Sequence, residues 1–492
     1  MRNISEFETQ IKLGQQSLSL IKLDLQCRDD ITKFLLGLQH LSNNQQVMSE
    51  ILKCLEEAIL LQNTGRPGMS LWRIFVLGLL RQTINGDYDR LCNLANNHKE
   101  LRLFLGHGMI DSEDRYCLQT VKDNVGNLGQ EVLNQINRII VEAGHNMLDK
   151  RIVAKLNVKT DSFIVESNVH YPTDSNLLLD AMRCIIKKTA KLCNKHNVKG
   201  WRQSEHRIKK LKKLMRKATS LKRSTSKNED KQQSRQLMIE SSYTDFINES
   251  KFLLEQSKEA LDKLPKNDLM NLLAIDSISA FMNHADRQID QIHRRIILQE
   301  TIPHNEKVFS IFEEYTEWLC KGKAGVPVEL GLGICVSSDQ HGFILSHRVM
   351  QKEKDVDVAV PMIEGVNDNF PQIYSASFDR GFYSKENKEA LEKQVTKLIM
   401  PQKGKLTPKE KEEIKSDLEY KKLRKKHSAV ESDINAIEVH ALDRCPDRGI
   451  KNFKRYISLA IVAHNIHKIG ALVQRKQLNK EKRQREKLPI AA

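Results

Sequence analysis

Several things are scarce in this chain, and each absence narrows what it can be. The longest apolar stretch, around Ile74 to Leu80, is far shorter than the roughly 20 residues needed to span a bilayer. A membrane-spanning protein is therefore not expected. The N-terminal MRNISEFETQ has no apolar signal core, so the expected location is cytoplasmic. Nine cysteines are scattered without a CxxC pair. They read as reduced thiols, not as a cysteine zinc site or a disulfide frame. Aromatic residues make up only 5%. Acids are also in deficit, with 79 Lys and Arg against 63 Asp and Glu, a formal charge of +16. An excess of this size favours a polyanionic partner, nucleic acid or an anionic membrane surface, and the short apolar runs make the membrane the weaker of the two.

What is present is enough for a sizeable core: 492 residues, 40% hydrophobic, or roughly three domains by length. Residues 1 to about 65 carry helical periodicity. Leu18, Ile21 and Leu25 suggest one amphipathic helix, and Ile31, Phe34, Leu35 and Leu38 a second. Gly65, Pro67 and Gly68 break the pattern, and Ser70 then caps the apolar helix SLWRIFVLGLLRQTI. The next segment, INGDYDRLCNLANNHKELRLFLG, holds two short helical patterns. They fit a DNA-contacting helix-turn-helix or a small packed bundle equally well. More helix is expected from Glu113 to Ala154.

At Asn157 the periodicity changes. VKTDSFIVES has the alternation and β-branching of a strand. Asp161 shares a side with Phe163 and Val165, so it is either a paired or metal-bound acid or a partly exposed strand residue. A helix capped by Asp174 or Ser175 follows, and the chain then stays helical and charge-rich to about Gln299. Within that region Arg207 to Lys227 holds ten Lys or Arg and no acid, with Leu211, Leu214, Met215 and Ala218 as a narrow apolar stripe. This is a helix that tracks phosphates through Lys209, Lys210, Lys212 and Lys213, or a solvated face. Lys222 to Arg235 reads as a flexible joint.

Strands return after Trp318. Val328–Val336 and Phe343–Val349 form a hairpin through Asp339 to Gly342. A helix over Val356–Asn367 precedes the strand Ile373–Phe378, which stops at Asp379. Arg380 and Gly381 turn the chain, and Ser384 caps the next helix, with Glu386 in its first turn. A carboxylate at the end of a buried strand is well placed to hold a hard cation such as Mg²⁺. Lys397–Pro401 is a further short strand, and residues 407–427 are charged and helical. The segment from His427 to Gly470 reads as two helices broken at Cys445–Pro446, and the basic stretch Gln474–Lys487 as a disordered or DNA-touching tail.

The order is strand with an acid, hairpin, helix, strand ending in an acid, helix, short strand, then a helix with acids. A ribonuclease-H-like sheet requires that order. Its strands lie about 5 Å apart, so carboxylates on two neighbours can bridge two divalent ions about 4 Å apart. The segments FDRGFYS, VESNVHYPTDSNLLLDA, GKAGVPVELG and VESDINAIEVHALDRCPDRGIKNFKRYISLAIVAHNIHKIG resemble insertion-sequence transposases of the DDE type, most of all the ISNCY-type group. RPGMSLWRIFVLGLLRQTINGDYDRLCNLA is similar to their N-terminal helical domain. The resemblance covers most of the chain except the charged middle and the tail.

It implies a ribonuclease-H-like α/β domain with an all-α N-terminal domain and a long helical insertion. The activity implied is metal-dependent cleavage at the ends of a mobile DNA element and joining of those ends to target DNA. Asp161, Asp379 and Glu431 fall on the family's catalytic, metal-holding acids, with two Mg²⁺ ions expected and Mn²⁺ able to substitute. A related group carries a Tyr-Arg-Glu-Lys signature around the glutamate. Here Arg424, His427 and Glu438 stand at the Tyr, Arg and Lys positions, so the signature is absent. Arg380 and His427 are candidate DNA contacts. The expected organisation is a helical domain over 1–150, a catalytic domain over 151–180 plus 300–470, a basic helical insertion over 181–299 and a tail over 471–492. The partner is double-stranded DNA, bound by a homodimer or higher assembly, with no membrane and no small-molecule substrate. Two other readings are a structure-selective nuclease on the same fold and a catalytically silent DNA-binding protein.

Overall fold

A computed structural model describes residues 15–59, 68–108, 115–148, 155–222, 229–265, 268–320, 327–404, 412 and 416–485. The chain forms two compact units, one of residues 1–168 with 319–492 and one of residues 169–318. The second is wider than the 181–299 insertion expected from charge. The N-terminal helices and the sheet belong to the same unit, so the expected boundary near 150 does not divide them.

The first unit opens with α1 (Asp30–Ser42), started by Asp29, whose carboxylate accepts the Ile31 N–H. Ile31, Phe34, Leu35, Leu38 and Leu41 are buried at helical spacing. The helix expected around Leu18 to Leu25 is instead a single 3₁₀ turn, Leu18–Leu20, followed by extended chain. The Gln39 side chain donates to the Leu18 and Ile21 carbonyls at 2.7 and 2.9 Å, and so satisfies acceptors that a helix would have used internally. Next come α2 (Gln45–Ala58), α3 (Leu71–Thr83), α4 (Tyr88–Asn97), α5 (Lys99–Phe104), α6 (Leu118–Val125) and α7 (Gln130–Asn146). Ser70 caps α3 by accepting the Arg73 N–H, and every side chain from Ile74 to Leu80 is buried. That apolar run is a core helix.

Between β1 (Leu156–Ser167) and the strands that pair with it, the chain makes the second unit. This is a bundle of α8 (Asp174–Lys195), α9 (Ser204–Leu221), α10 (Glu229–Asp262) and α11 (Leu269–Ile296), ending at β2 (Glu317–Leu319). Thr173, not Asp174 or Ser175, caps α8. The bundle has its own core, including Met182, Ile185, Phe246 and Ile289. Of the expected flexible joint, residues 229–235 are the start of α10 and 223–228 lie outside the described residues.

The chain returns to the first unit through β3 (Glu329–Ser338), β4 (Ile344–Val349), α12 (Asp355–Asn367), β5 (Ile373–Phe378), α13 (Lys385–Leu391) and β6 (Lys397–Ile399). It ends with α14 (Leu418–His427), α15 (Ala429–Ile437), β7 (Arg444–Cys445) and α16 (Ile450–Arg485). The seven strands make one mixed sheet flanked by helices. Its central path is β3-β1-β5-β6, with β4 on the outer side of β3. β1 runs antiparallel to β3 and parallel to β5, and β5 is parallel to β6. The hairpin is held by Asp339, whose carboxylate accepts the N–H groups of His341 and Phe343 and bonds His145 of α7 at 2.7 Å.

Because strand side chains alternate, β1 serves two layers. Leu156 and Val158 join Cys335, Ala376 and Phe378 in the core with Val358, Met362, Ile363 and Val366 of α12. Lys159 and Asp161 belong to the alternate set, and Lys159 reaches α15.

α16 is 36 residues long. Its apolar part has a mean hydropathy of 1.3, high enough for a membrane span by length and composition, and 72% of that window is buried inside the protein. The helix also runs through Gln474 to Arg485, where a disordered or DNA-touching tail was expected, and the disordered alternative does not hold there. This stretch is basic but holds no Gly or Pro, and Gln474 ties it down by donating to the carbonyls of Leu25 and Cys27.

α1 and α16 meet backbone to backbone. A Cβ on Gly470 would lie 1.7 Å from the Lys33 carbonyl oxygen, and one on Gly37 2.2 Å from that of Ile466. Gly470→Ala is therefore expected to cost roughly 3 kcal/mol or more, since backbone cannot rotate aside as a side chain can. Gly365→Ala in α12 meets only Ser346 Oγ at 3.8 Å and should be neutral or stabilising by up to about 1 kcal/mol. Urea unfolding of the two variants checks both signs.

Candidate functional site

The site lies where β5 ends beside the middle of β1. The parallel register pairs Lys159 with Ser377 and Thr160 with Phe378. Asp161 is the next residue of β1, and Asp379 is the first residue past the end of β5. Asp161 is half-buried and accepts its neighbour Ser162's N–H through Oδ1 at 2.7 Å. Asp379 is exposed, at the start of a 3₁₀ turn, Arg380–Phe382. That turn needs Gly381, because a Cβ there would sit 2.8 Å from Asp355 Oδ2. Asp355 in turn accepts the Ser162 hydroxyl at 2.6 Å. The glycine of FDRGFYS is thus explained by close approach to the start of α12.

Helices α14 and α15 bring the third acid. Glu431 is exposed in the first turn of α15, while Val430, Ile434 and Ile437 are buried beneath it. His427, at the end of α14, is half-buried with Nδ1 3.0 Å from Ser377 Oγ. It points into the sheet, not outward along the helix surface. Burial holds its imidazole below the ordinary histidine range, Asp379 and Glu431 pull the other way, and Lys159 and Arg424 add to the lowering. His427 thus lies within electrostatic reach of two of the three predicted acids.

Beneath the rim is a buried charge pair that sequence reasoning missed. Lys159 Nζ is 2.9 Å from Asp433 Oδ2, which also accepts the Ser338 hydroxyl at 2.7 Å. Lys159 and Asp433 are 6% and 8% exposed. At such burial an unpaired ammonium is costly, so Asp433 is held in place by Lys159, two residues before Asp161. The signal was available: Asp433 lies three residues after Val430 and beside Ile434, inside the apolar stripe.

Glu431 and Glu438 do not share one continuous α-helix. Regular α-helix ends at Ile437, and Glu438–Leu442 is a wider π-type turn. His440 and Ala441 leave helical geometry there, Ala441 with φ 90°. The chain then runs into β7, which pairs with β1, so Cys445 is a strand residue just past the break. Three bonds from outside α15 hold the turn: Asn85 to the Val439 carbonyl, His440 to the Thr83 carbonyl and the Tyr456 hydroxyl to the Ala441 carbonyl.

Beside Asp379 a cleft of about 400 Å³ is lined in part by Arg380, Tyr383, Lys388, Tyr420 and Arg424. Arg380 is exposed at its edge. In the second unit, Lys209, Lys210, Lys212 and Lys213 are all exposed on α9, whose inner face buries Ile208, Leu211 and Ala218. Lys210 is already paired with Glu249 at 2.6 Å.

The candidate residues at the rim, Asp161, Asp379 and Glu431, are all carboxylates, the donor type that hard divalent cations take. Asp161, Asp379 and Glu431 are not drawn into a closed set, however. Among the described residues, the group of three whose ligand atoms lie within 4.8 Å of one another is Asp30, His440 and His467. Compared with known proteins, the chain matches no family model, no curated protein and no solved structure.

Proposed function

We propose that this chain is a DNA transposase of the DDE type, which cuts at the ends of a mobile element and joins them to target DNA. The observation that supports the reading is that Asp161 and Asp379 directly follow Thr160 and Phe378, the last paired residues of two adjacent parallel strands, with Glu431 on α15, which Asp433 ties to Lys159 of β1. The path β4-β3-β1-β5-β6 and its strand directions support a ribonuclease-H-like catalytic domain.

The three acids would hold Mg²⁺, with Mn²⁺ as a substitute. Ions so held activate an attacking oxygen and stabilise the leaving oxygen at a phosphodiester. The residues of the chain supply the rest. Lys159, neutralised by Asp433, braces the strand under Asp161. His427, kept neutral by burial, anchors α14 on Ser377. Arg380, Lys388 and Arg424 offer cations to phosphates beside Asp379. The expected substrate is double-stranded DNA, bound by a dimer or larger assembly.

The test uses the purified chain and DNA spanning both flanks of its gene, where inverted repeats are expected. Cleavage at the repeat ends, dependent on Mg²⁺ or Mn²⁺, followed by joining to a second duplex is expected. Cleavage without joining would favour the nuclease, and binding without cleavage the silent DNA-binding protein.

The basic face of α9 gives a separate expectation. Replacing Lys209, Lys212 and Lys213 with Ala should weaken DNA binding independently of sequence, with the salt slope falling by up to about three units. Lys210→Ala should add little, because Glu249 already holds its ammonium. Binding isotherms at several salt concentrations measure the slope, and an unchanged slope would make the face merely solvated.

A further inference from the structure

We propose that Asp30, His440 and His467 form a second metal site, for a zinc-class transition-metal ion, joining α1, the turn after α15, and α16. This goes beyond the proposed DNA chemistry and does not depend on it.

The three residues are distant in sequence and each is half-buried. One potential ligand atom from each lies within 4.8 Å of the other two. Asp30 Oδ1 and His467 Nε2 are 3.1 Å apart, and the rings of His440 and His467 are 4.9 Å apart between centroids, tilted by 51°. Two imidazoles and a carboxylate suit Zn²⁺ better than Mg²⁺. Tetrahedral zinc with bonds of about 2.0–2.1 Å places its ligand atoms about 3.4 Å apart. The closure required from the present spacing is therefore at most about 1.4 Å.

His440 is already oriented as a ligand. Its Nδ1 is 3.1 Å from the Thr83 carbonyl oxygen. A carbonyl only accepts, so Nδ1 is the donor and Nε2 is the nitrogen left to face a metal. A backbone carbonyl behind the non-ligating nitrogen is the usual support of a metal-bound histidine. His467 Nε2 faces Asp30 Oδ1 at 3.1 Å, and a carboxylate only accepts, so a change of tautomer frees Nε2 for a metal. Lys33 is the competitor, with its ammonium 3.3 Å from the same Asp30 oxygen.

The experiment is a Co²⁺ and Zn²⁺ titration of the full chain after exhaustive dialysis against chelator. One Co²⁺ per chain with the visible absorption of a tetrahedral nitrogen–oxygen site is expected, displaced by stoichiometric Zn²⁺. His440→Gln and His467→Gln should each weaken Zn²⁺ binding by roughly a hundredfold. Lys33→Met should retain or tighten it. Asp379→Asn should leave it unchanged, which separates this site from the carboxylate rim. Circular dichroism of each variant confirms that it is folded. The proposal is overturned if the folded wild-type chain shows no stoichiometric binding at micromolar metal, if the spectrum is that of thiolate ligation, or if the folded His440→Gln/His467→Gln double variant binds as tightly as wild type.

Discussion

Asp379→Asn and Asp161→Asn are each expected to reduce metal-dependent cleavage of end DNA by on the order of 10³-fold or more, because on the proposed function each removes a charged metal ligand. DNA affinity should change little, since phosphate contacts come mainly from Lys and Arg. Glu431→Gln should behave like the two Asp variants, and Glu438→Gln should lose far less. The structure gives the reason for separating the glutamates. Glu431 is in the first turn of α15, and with Asp379 it is one of the carboxylates acting on His427. Glu438 begins the non-helical turn, where Val439 and His440 are bonded to Asn85 and Thr83 of the α3 end. Asn and Gln preserve size, so folding should survive. Cleavage rates measured on labelled duplexes decide the matter. Wild-type rates in either Asp variant would remove the site assignment, and a dead Glu438→Gln beside an active Glu431→Gln would move the third acid.

The second large effect concerns stability. Asp433→Ala leaves the buried Lys159 ammonium without its carboxylate and the Ser338 hydroxyl without its acceptor. The expected loss is about 3–5 kcal/mol. Replacing both partners, as in Lys159→Met with Asp433→Leu, should recover much of that loss, because an apolar pair of similar volume avoids the desolvation cost. Urea unfolding of the two single variants and the double variant forms a cycle that isolates the coupling. A cost under about 1 kcal/mol for Asp433→Ala would show that water reaches Lys159 and carries the charge. The double variant should also report on the rim, since Lys159 is two residues before Asp161. Cleavage retained in it would mean that the pair acts only by bracing the strand.

Much of the sheet was legible along the chain. The strand expected over Ile373–Phe378 is observed with those bounds, and Val328–Val336 is observed as Glu329–Ser338. These are short, largely uncharged runs bounded by turn residues, with little competing helical periodicity. The Ser384 cap and the helix over Asp355–Asn367 were legible for similarly local reasons. The departures have identifiable causes. Leu18, Ile21 and Leu25 have helical spacing, but Gln39 claims the carbonyls of the first two. The charge of the C-terminal stretch suggests disorder, although its composition of helix formers favours the continuation to Arg485 that is observed.

By itself the sequence determined which residues form most strands and helices, where acids fall at strand ends, and that the surface is basic. Those follow from local periodicity, capping and composition. Only the tertiary structure decided that the strands carrying Asp161 and leading to Asp379 are parallel neighbours, because a parallel register depends on the whole crossover between β1 and β5. It also decided that Asp433 is committed to Lys159, that the helix carrying Glu431 stops at Ile437, and that Asp30 meets two histidines more than four hundred positions away. Buried charges, helix breaks and ligand clusters are settled by partners that are remote in the chain. No window of local sequence contains both members of such a pair.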